Sequence, residues 1–373
     1  MENITGIVSE YNPFHEGHAY HIKKTREIAG EDAIIICCMS GDFVQRGEWA
    51  IMPKHDRAGQ AVKNGADIVV ELPVPWALSS AEGFAEGGVQ ILSALGITHL
   101  SFGSEAGDID ALVSAAREIS ADGFNEKVKK IMKDSPMLSY PAARAKAFGG
   151  DILDFPNNAL GVEYIKAIIK NNLSIRPVTV KRESSFHGGP GSASDIRDKI
   201  LSGERCPGYA DYKLLNLAAV SRLRSLKEED VAAVADSGNG AGNRLLDAVR
   251  QGYMTVDEIC LAAKTKSITY SRLKRIAMRA VLGIDKASSE GAPPYVRILA
   301  VNARGRAYLS SLKKNDGCAL PVITHGKEAN DYGGKTESVF ALGAKARDFY
   351  NLGFSEKSGV KAGEDYRIPP VLL

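Results

Sequence analysis

Seven apolar residues in a row, Ala33-Ile34-Ile35-Ile36-Cys37-Cys38-Met39, constrain the fold of this chain more than any other stretch. The run has the length of a strand, and its lack of alternation means that both faces are buried. A strand covered on both sides belongs inside a parallel sheet with helices above and below it. The same pattern recurs: residues 4–8 precede it, residues 67–72 follow, and residues 97–102 and 175–180 supply a fourth and a fifth strand. Helical patterns lie between them, at 18–28, at 54–64 with Gly65 as a closing residue, and at 79–95. This alternation predicts an α/β fold, a Rossmann-like doubly wound parallel sheet. In such sheets ligands bind beyond the carboxyl ends of the strands.

From about residue 201 the pattern changes. The stretch "LSGERCPGYADY" carries two glycines and a proline and reads as a boundary. Beyond it helical patterns dominate, at 214–225, 228–235, 244–251, 256–263 and 270–281, with one strand at 296–301 and one more helix at 306–312. A chain of 373 residues exceeds the usual single core. The expectation is therefore a first domain over residues 1–205 and a mainly helical second domain over residues 206–373. Net charge is only +2, so any contact with nucleic acid must come from a local basic patch. Cys37, Cys38, Cys206, Cys260 and Cys318 show no zinc spacing and read as reduced thiols. No apolar run approaches the roughly 20 residues needed to span a bilayer, and the start of the chain lacks a signal-peptide layout. The expectation is a soluble, cytoplasmic protein with no membrane contact.

Chemistry is concentrated where the first strand hands over to the first helix, in "EYNPFHEGHAY" from Glu10 to Tyr20. Unpaired backbone N–H groups and the dipole at a helix N-terminus favour an anion there. His15 and His18, three positions apart, can face the same phosphate. Gly17 lets a nucleotide approach closely, and Pro13 stiffens the incoming loop. This arrangement suits attack on the α-phosphate of a nucleotide with departure of pyrophosphate, where losing one aimed donor costs roughly 3 kcal/mol. A purely structural histidine and a metal site are the competing readings. His21 lies three residues beyond His18, but neither carboxylates nor cysteines nearby complete a plausible zinc shell, so no metal centre is expected.

A second element follows the glycine-rich "HGGPGS": Ser192-Ala193-Ser194-Asp195-Ile196-Arg197. Ser194 or Asp195 can cap the helix that starts here, and Arg197 can reach a phosphate bidentately. Alone this is an ordinary capped helix; beside the histidine turn it becomes informative. Gly238-Asn239-Gly240-Ala241-Gly242-Asn243 superficially matches a phosphate loop, but it follows a helical pattern and reads as a turn. Between residues 264 and 284 stand six cations, Lys264, Lys266, Arg272, Lys274, Arg275 and Arg279, and no acid. Arg272, Arg275 and Arg279 fall at i, i+3 and i+7 and share one helix face, with Leu273, Ile276, Ala277 and Ala280 opposite. A basic stripe on an anchored helix attracts a phosphate backbone. A solvated helix face is the plainer alternative.

H-x-G-H with the later S-x-S-x-I-R resembles the nucleotidyltransferase superfamily of class I aminoacyl-tRNA synthetases and small adenylyltransferases. More closely, "GIVSEYNPFHEGHAYHI", "MSGDFVQRGEWAIMPKHDRA", "NGADIVVELP", "SFGSE", "PNNALGVEY" and "KTKSITYSRLKRI" occur in an order that resembles the bacterial tRNA(Met) cytidine acetate ligase family, over residues 4 to about 310. The resemblance implies a ligase that turns ATP and acetate into acetyl-adenylate, with Mg2+. It then acetylates the wobble cytidine of elongator tRNA(Met) to N4-acetylcytidine. It implies that Ile7, Val8, Ser9, Glu10, Tyr11, Asn12, Pro13, Phe14, His15, Glu16, Gly17, His18, Ala19 and Tyr20 line the ATP site. Gly103, Asn157 or Asn158, Arg182 and Ser194 complete that site. His15, His18 and Arg197 are the implied catalytic residues. Ser194 stands where threonine is common and keeps the hydroxyl. The six cations of residues 264–279 are the implied tRNA contacts, and Gln45 and Arg46 are candidates for the acetate or tRNA end of the site. Beyond about residue 315 the resemblance fades. Two rivals are an adenylyltransferase acting on a small phosphate-bearing metabolite and a non-catalytic RNA-binding protein.

Overall fold

The long apolar run forms β2 (Ile34–Ser40), all of it buried, between β1 (Ile4–Ser9) and β5 (Ile68–Leu72). Between β2 and β5 the chain makes a small hairpin, β3 (Phe43–Val44) with β4 (Glu48–Trp49). β6 (His99–Ser104) and β7 (Arg176–Lys181) extend the sheet beyond β1, and every one of these neighbours except the hairpin pairs in parallel. The computed structural model describes residues 3–183, 197, 208–315, 317–354 and 361–373.

The sheet crosses the boundary expected near residue 205. β8 (Val296–Val301) pairs antiparallel with β5, and β9 (Val322–Ile323) and β10 (Val371–Leu372) both pair with β8. The order is therefore β10-β8-β5-β2-β1-β6-β7, with strands drawn from both parts of the sequence. Strand order reverses at β1, and the crevice that a doubly wound sheet opens for a ligand lies there.

α1 (Glu16–Ala29), α2 (Lys54–Lys63), α3 (Val74–Ala77) and α4 (Ala81–Ala94) alternate with the first strands. α5 (Ile109–Ser120), α6 (Phe124–Asp134), α7 (Tyr140–Phe148) and α8 (Pro156–Lys170) separate β6 from β7. α4 packs hard on β1: a Cβ on Gly6 would sit 2.8 Å from side chains of Leu92 and Ile97. Then come α9 (Tyr212–Arg224), α10 (Glu228–Ala232), α11 (Ala241–Val249), α12 (Val256–Ala263) and α13 (Tyr270–Leu282). Their apolar faces share one core with Phe43 and Trp49 of the hairpin and Val74 of α3. Gly240, with φ of 77°, is the turn before α11, as the non-phosphate reading of that stretch required.

α14 (Ala303–Lys314), α15 (Glu328–Tyr332) and α16 (Gly334–Asn351) follow β8. The end of the chain is tied to the sheet through buried charges. Lys54 Nζ meets Glu71 at 2.7 Å and Asp365 at 2.8 Å, Arg297 pairs with Asp365, and Arg347 reaches Asp42 at 3.1 Å and Glu364 at 2.9 Å. Among the described residues no helix is long and apolar enough to cross a membrane. Cys37, Cys38, Cys260 and Cys318 are free thiols, and Cys206 lies outside the described residues.

Candidate active site

α1 begins where it does because His15 caps it. The His15 ring Nδ1 accepts the Gly17 N–H at 3.0 Å, and the His18 ring Nδ1 accepts the His15 N–H at 3.3 Å. The two histidines thus form a reciprocal capping box, and their ring centroids lie 3.8 Å apart. With each Nδ1 acting as acceptor, the neutral tautomer puts the ring hydrogen on Nε2. Tyr11 at 4.9 Å and Phe14 at 5.6 Å pack against the His18 ring and fix its direction. The cap is therefore built from the two residues that the sequence singles out as catalytic candidates.

Beyond these rings lies a cavity of about 50 Å3, lined by His15, Gly17, His18, Tyr20, His21, Gly103, Val180, Lys181, Arg182 and Glu183. The expected residues His15, Gly17, His18, Tyr20, Gly103 and Arg182 meet here, from α1 and the carboxyl ends of β6 and β7. A Cβ on Gly103 would come within 3.2 Å of Arg182 Cγ, so the arginine folds across the glycine. Burial lowers the Arg182 pKa, with Glu105 acting against it. Sequence reasoning passed over His21, Lys181 and Glu183 in this role. His21 bonds Ser101 Oγ at 3.1 Å, and burial, reinforced by Arg182, pulls its pKa down to about 4. Glu183 accepts the Tyr20 hydroxyl at 2.7 Å. The helical spacing His18–His21 was the available signal for the first of these.

Other expected residues fall elsewhere. The side chains of Ile7, Val8 and Tyr11 are core, so Ile7 and Val8 offer a nucleotide only backbone. Asn158 is buried and its Oδ1 accepts the Ala106 N–H at 3.0 Å, whereas Asn157 is half-buried and donates to Glu105 at 2.5 Å. Both asparagines hold the turn after β6. Ser194 lies outside the described residues. Arg197 donates to the Asn12 carbonyl at 2.7 Å and, with Glu10 and Asn12, lines a different, larger cavity.

That larger cavity, about 340 Å3, lies between the carboxyl end of β1, the β3–β4 hairpin and helices α9, α12 and α13. Glu10, Asn12, Arg46, Glu48, Trp49, Tyr212, Asp257 and Lys274 are among its walls. Arg57, fully buried, collects the carbonyls of Glu10, Ser40, Gly41 and Met52 and so joins the ends of β1 and β2 beneath it. The hairpin seats directly on α13: Gly47 has φ of 76°, and a Cβ there would lie 2.5 Å from the backbone of Lys274 and Arg275.

The basic stripe needs correction. Leu273, Ile276, Ala277 and Ala280 are buried as expected, but so are Lys274 and Arg279. Arg279 directs its guanidinium to Pro75 O, Asp285 O and Ser289 Oγ, each at 2.9 Å. Lys274 is held between Glu48 at 2.7 Å and Asp257 at 2.8 Å. Arg272 is half-buried and donates to Asp236 O and Gly238 O, Arg275 is half-buried, and of the six only Lys264 and Lys266 are exposed. The face is shared as helical spacing requires, but the hairpin and α3 cover much of it.

Comparison with known proteins agrees with the sequence motifs. A family model described as HIGH Nucleotidyl Transferase matches residues 1–365. The tRNA(Met) cytidine acetate ligase of Listeria monocytogenes is 36% identical over 400 residues, covering 99% of each chain. That of Caldicellulosiruptor saccharolyticus is 36% identical over 342 residues, covering 83% of this chain and 84% of its own. A crystal structure of Thermotoga maritima TmcAL bound with alpha-thio ATP superposes with a TM-score of 0.90 at 29% identity, covering 100% of this chain and 99% of that one.

Proposed function

The chain belongs to the tRNA(Met) cytidine acetate ligase family of HIGH nucleotidyl transferases, and from that premise we propose that it joins acetate to ATP and passes the acetyl group to the wobble cytidine of elongator tRNA(Met). One observation carries the reading: His15 and His18, locked by their own capping box at the N-terminus of α1, line one cavity with Gly103 and Arg182. The triphosphate lies against that N-terminus, where backbone N–H groups and the helix dipole favour anions. Imidazole and guanidinium donors then stabilise the charge that grows as an acetate oxygen attacks the α-phosphorus and pyrophosphate leaves. Gly103 supplies room for the nucleotide, and Asn157, the more exposed of the two asparagines, is the better placed to touch it. Arg197 acts from its bond to the Asn12 carbonyl, in the loop that leads into the histidine turn.

Among the described residues no group of three His, Cys, Asp or Glu side chains could hold a metal. Among the described residues that line the nucleotide cavity Glu183 is the one carboxylate, and it would face an Mg2+ carried on the triphosphate, where the ion would neutralise phosphate charge. Positioning must supply much of the rate of the second step, since a cytosine amine is a weak nucleophile. Lys264 and Lys266, with Arg272 beside them, are the cations that remain for the tRNA backbone.

The test is transfer of labelled acetate to tRNA with and without ATP. Label on tRNA that requires ATP is expected; label without ATP, or on no RNA, rejects the reading. His18→Ala should lose roughly 10²–10³-fold in acetylation while circular dichroism still reports a folded chain. Turnover at the wild-type rate would remove His18 from the mechanism.

A further inference from the structure

The 340 Å3 cavity beside the nucleotide site is large enough for a small molecule, whose sites run to roughly 300–1,000 Å3. Its walls are unlike those of the histidine cavity. Trp49 and Tyr212, with ring centroids 5.5 Å apart, give it an aromatic side. Glu10, Arg46 and Lys274 give it a polar one. Glu10 enters it from the same loop that carries His15 into the histidine cavity. We infer that this cavity receives the acceptor cytosine out of the anticodon stack, and that Glu10 takes the proton from its exocyclic amine. The inference rests on the acetate-ligase reading and adds to it the base pocket and the general base.

The chemistry fits cytosine in particular. Glu10 Oε1 accepts the Gln45 N–H at 2.6 Å, which orients the carboxylate, and no other described group donates to it. Its second oxygen is an acceptor for the N4 amino group. Lys274 has three ammonium hydrogens and directs two to Glu48 and Asp257, leaving one for O2 or N3 of the base. Uracil would set its O4 against the Glu10 carboxylate and leave both unpaired, a mismatch of the kind that buried polar sites reject strongly. Stacking on an aromatic side is the usual way a splayed-out base is held. The burial of Lys274, which removes it from the surface stripe, thereby acquires a purpose.

The step balances. The N4 lone pair forms a bond to the acetyl carbonyl carbon, and the bond from that carbon to the adenylate oxygen breaks. AMP leaves with the electron pair, and the N4 proton passes to Glu10. Burial raises the Glu10 carboxyl above its ordinary value, against the lowering by the Gln45 N–H, Arg46 and Arg57. A carboxylate moved in that direction is a better base near neutral pH.

Two measurements test this. Acetate-dependent exchange of labelled pyrophosphate into ATP reads the first half-reaction, and acetyl transfer to tRNA reads the whole. Glu10→Gln keeps the shape and should lower transfer by roughly 10²–10⁴-fold, far more than it lowers exchange. Equal losses in both, or no loss in transfer, would overturn the role of Glu10. Failure of wild type in both assays would instead reject the acetate-ligase reading beneath it. Independently of any variant, tRNA carrying 5-iodocytidine at the acceptor position, which keeps the cytosine hydrogen-bonding edge, is irradiated with the wild-type enzyme and the cross-linked peptide is sequenced. A cross-link within residues 43–49 or 209–216 supports the pocket. One elsewhere overturns it.

Discussion

At the scale of single residues, His15 and His18 cap a helix, whereas His55 is hidden. His55 on α2 is buried, and among the described residues neither ring nitrogen has a hydrogen-bond partner. Burial, then Lys54 and Arg297, pushes its pKa down to about 3. The unfolded chain takes up a proton near the ordinary value of about 6.5, where the native state still refuses one. Stability is therefore full above about pH 6.5 and declines as pH falls from there toward 3. At pH 5 His55 alone should account for about 2 kcal/mol of the loss relative to pH 7. His21 contributes in the same sense. Denaturant melts of His55→Leu at pH 7 and pH 5 check this: the drop should shrink by that amount, and an unaltered drop would refute the assignment. His15 and His18 were legible from sequence because a strand-to-helix turn at the edge of a parallel sheet is where a ligand is expected, whereas Gly103 and Arg182 were reached only through the family resemblance, and the structure brings all four to one cavity. Glu10 was legible as part of that turn, but which cavity its side chain enters was not.

At the scale of elements, α13 shows how far periodicity goes. Spacing alone placed its apolar residues inward and three arginines on a common face, and both are so. Periodicity says nothing about what else packs on that face. Here the β3–β4 hairpin, whose two-residue strands are too short to announce themselves in sequence, lies across it. Two predictions separate the cations left for tRNA from the buried ones. Lys264→Ala with Lys266→Ala should weaken tRNA binding and reduce the slope of log K against log salt by about 1 for each phosphate that these lysines neutralise. An unchanged slope would move the tRNA surface elsewhere. Arg279→Ala should instead cost roughly 1.5–3 kcal/mol in unfolding free energy, because carbonyls of Pro75 and Asp285 lose a charged donor. A variant that melts like wild type but binds tRNA poorly would reverse that assignment.

At the scale of the whole molecule, the part of the chain beyond residue 315 acts as a clasp. Asp365 is fully buried against Lys54 of α2 and Arg297 of β8, and Arg347 of α16 reaches Asp42 at the end of β2. Burial by itself would raise the Asp365 carboxyl, but Arg297 and Lys54 outweigh that and hold it well below the carboxylate range. Its contribution is complete above the ordinary aspartate value of about 3.9 and is lost as pH falls below it. Asp365→Asn leaves two buried cations, Lys54 and Arg297, to share the single carboxylate of Glu71 and should destabilise the protein by about 3–5 kcal/mol at pH 7, read by urea unfolding. Wild-type stability in that variant would mean that the clasp contributes nothing. The sequence by itself determined the sheet, the positions of its first five strands, the histidine turn and the family, because hydrophobic period and capping chemistry are local. Only the tertiary structure decided that β8 and β10 return to the sheet, that Lys274 and Arg279 face inward, and that a second cavity opens beside the first. Those outcomes depend on which surfaces meet across hundreds of residues, and no local pattern of side chains encodes what will come to cover it.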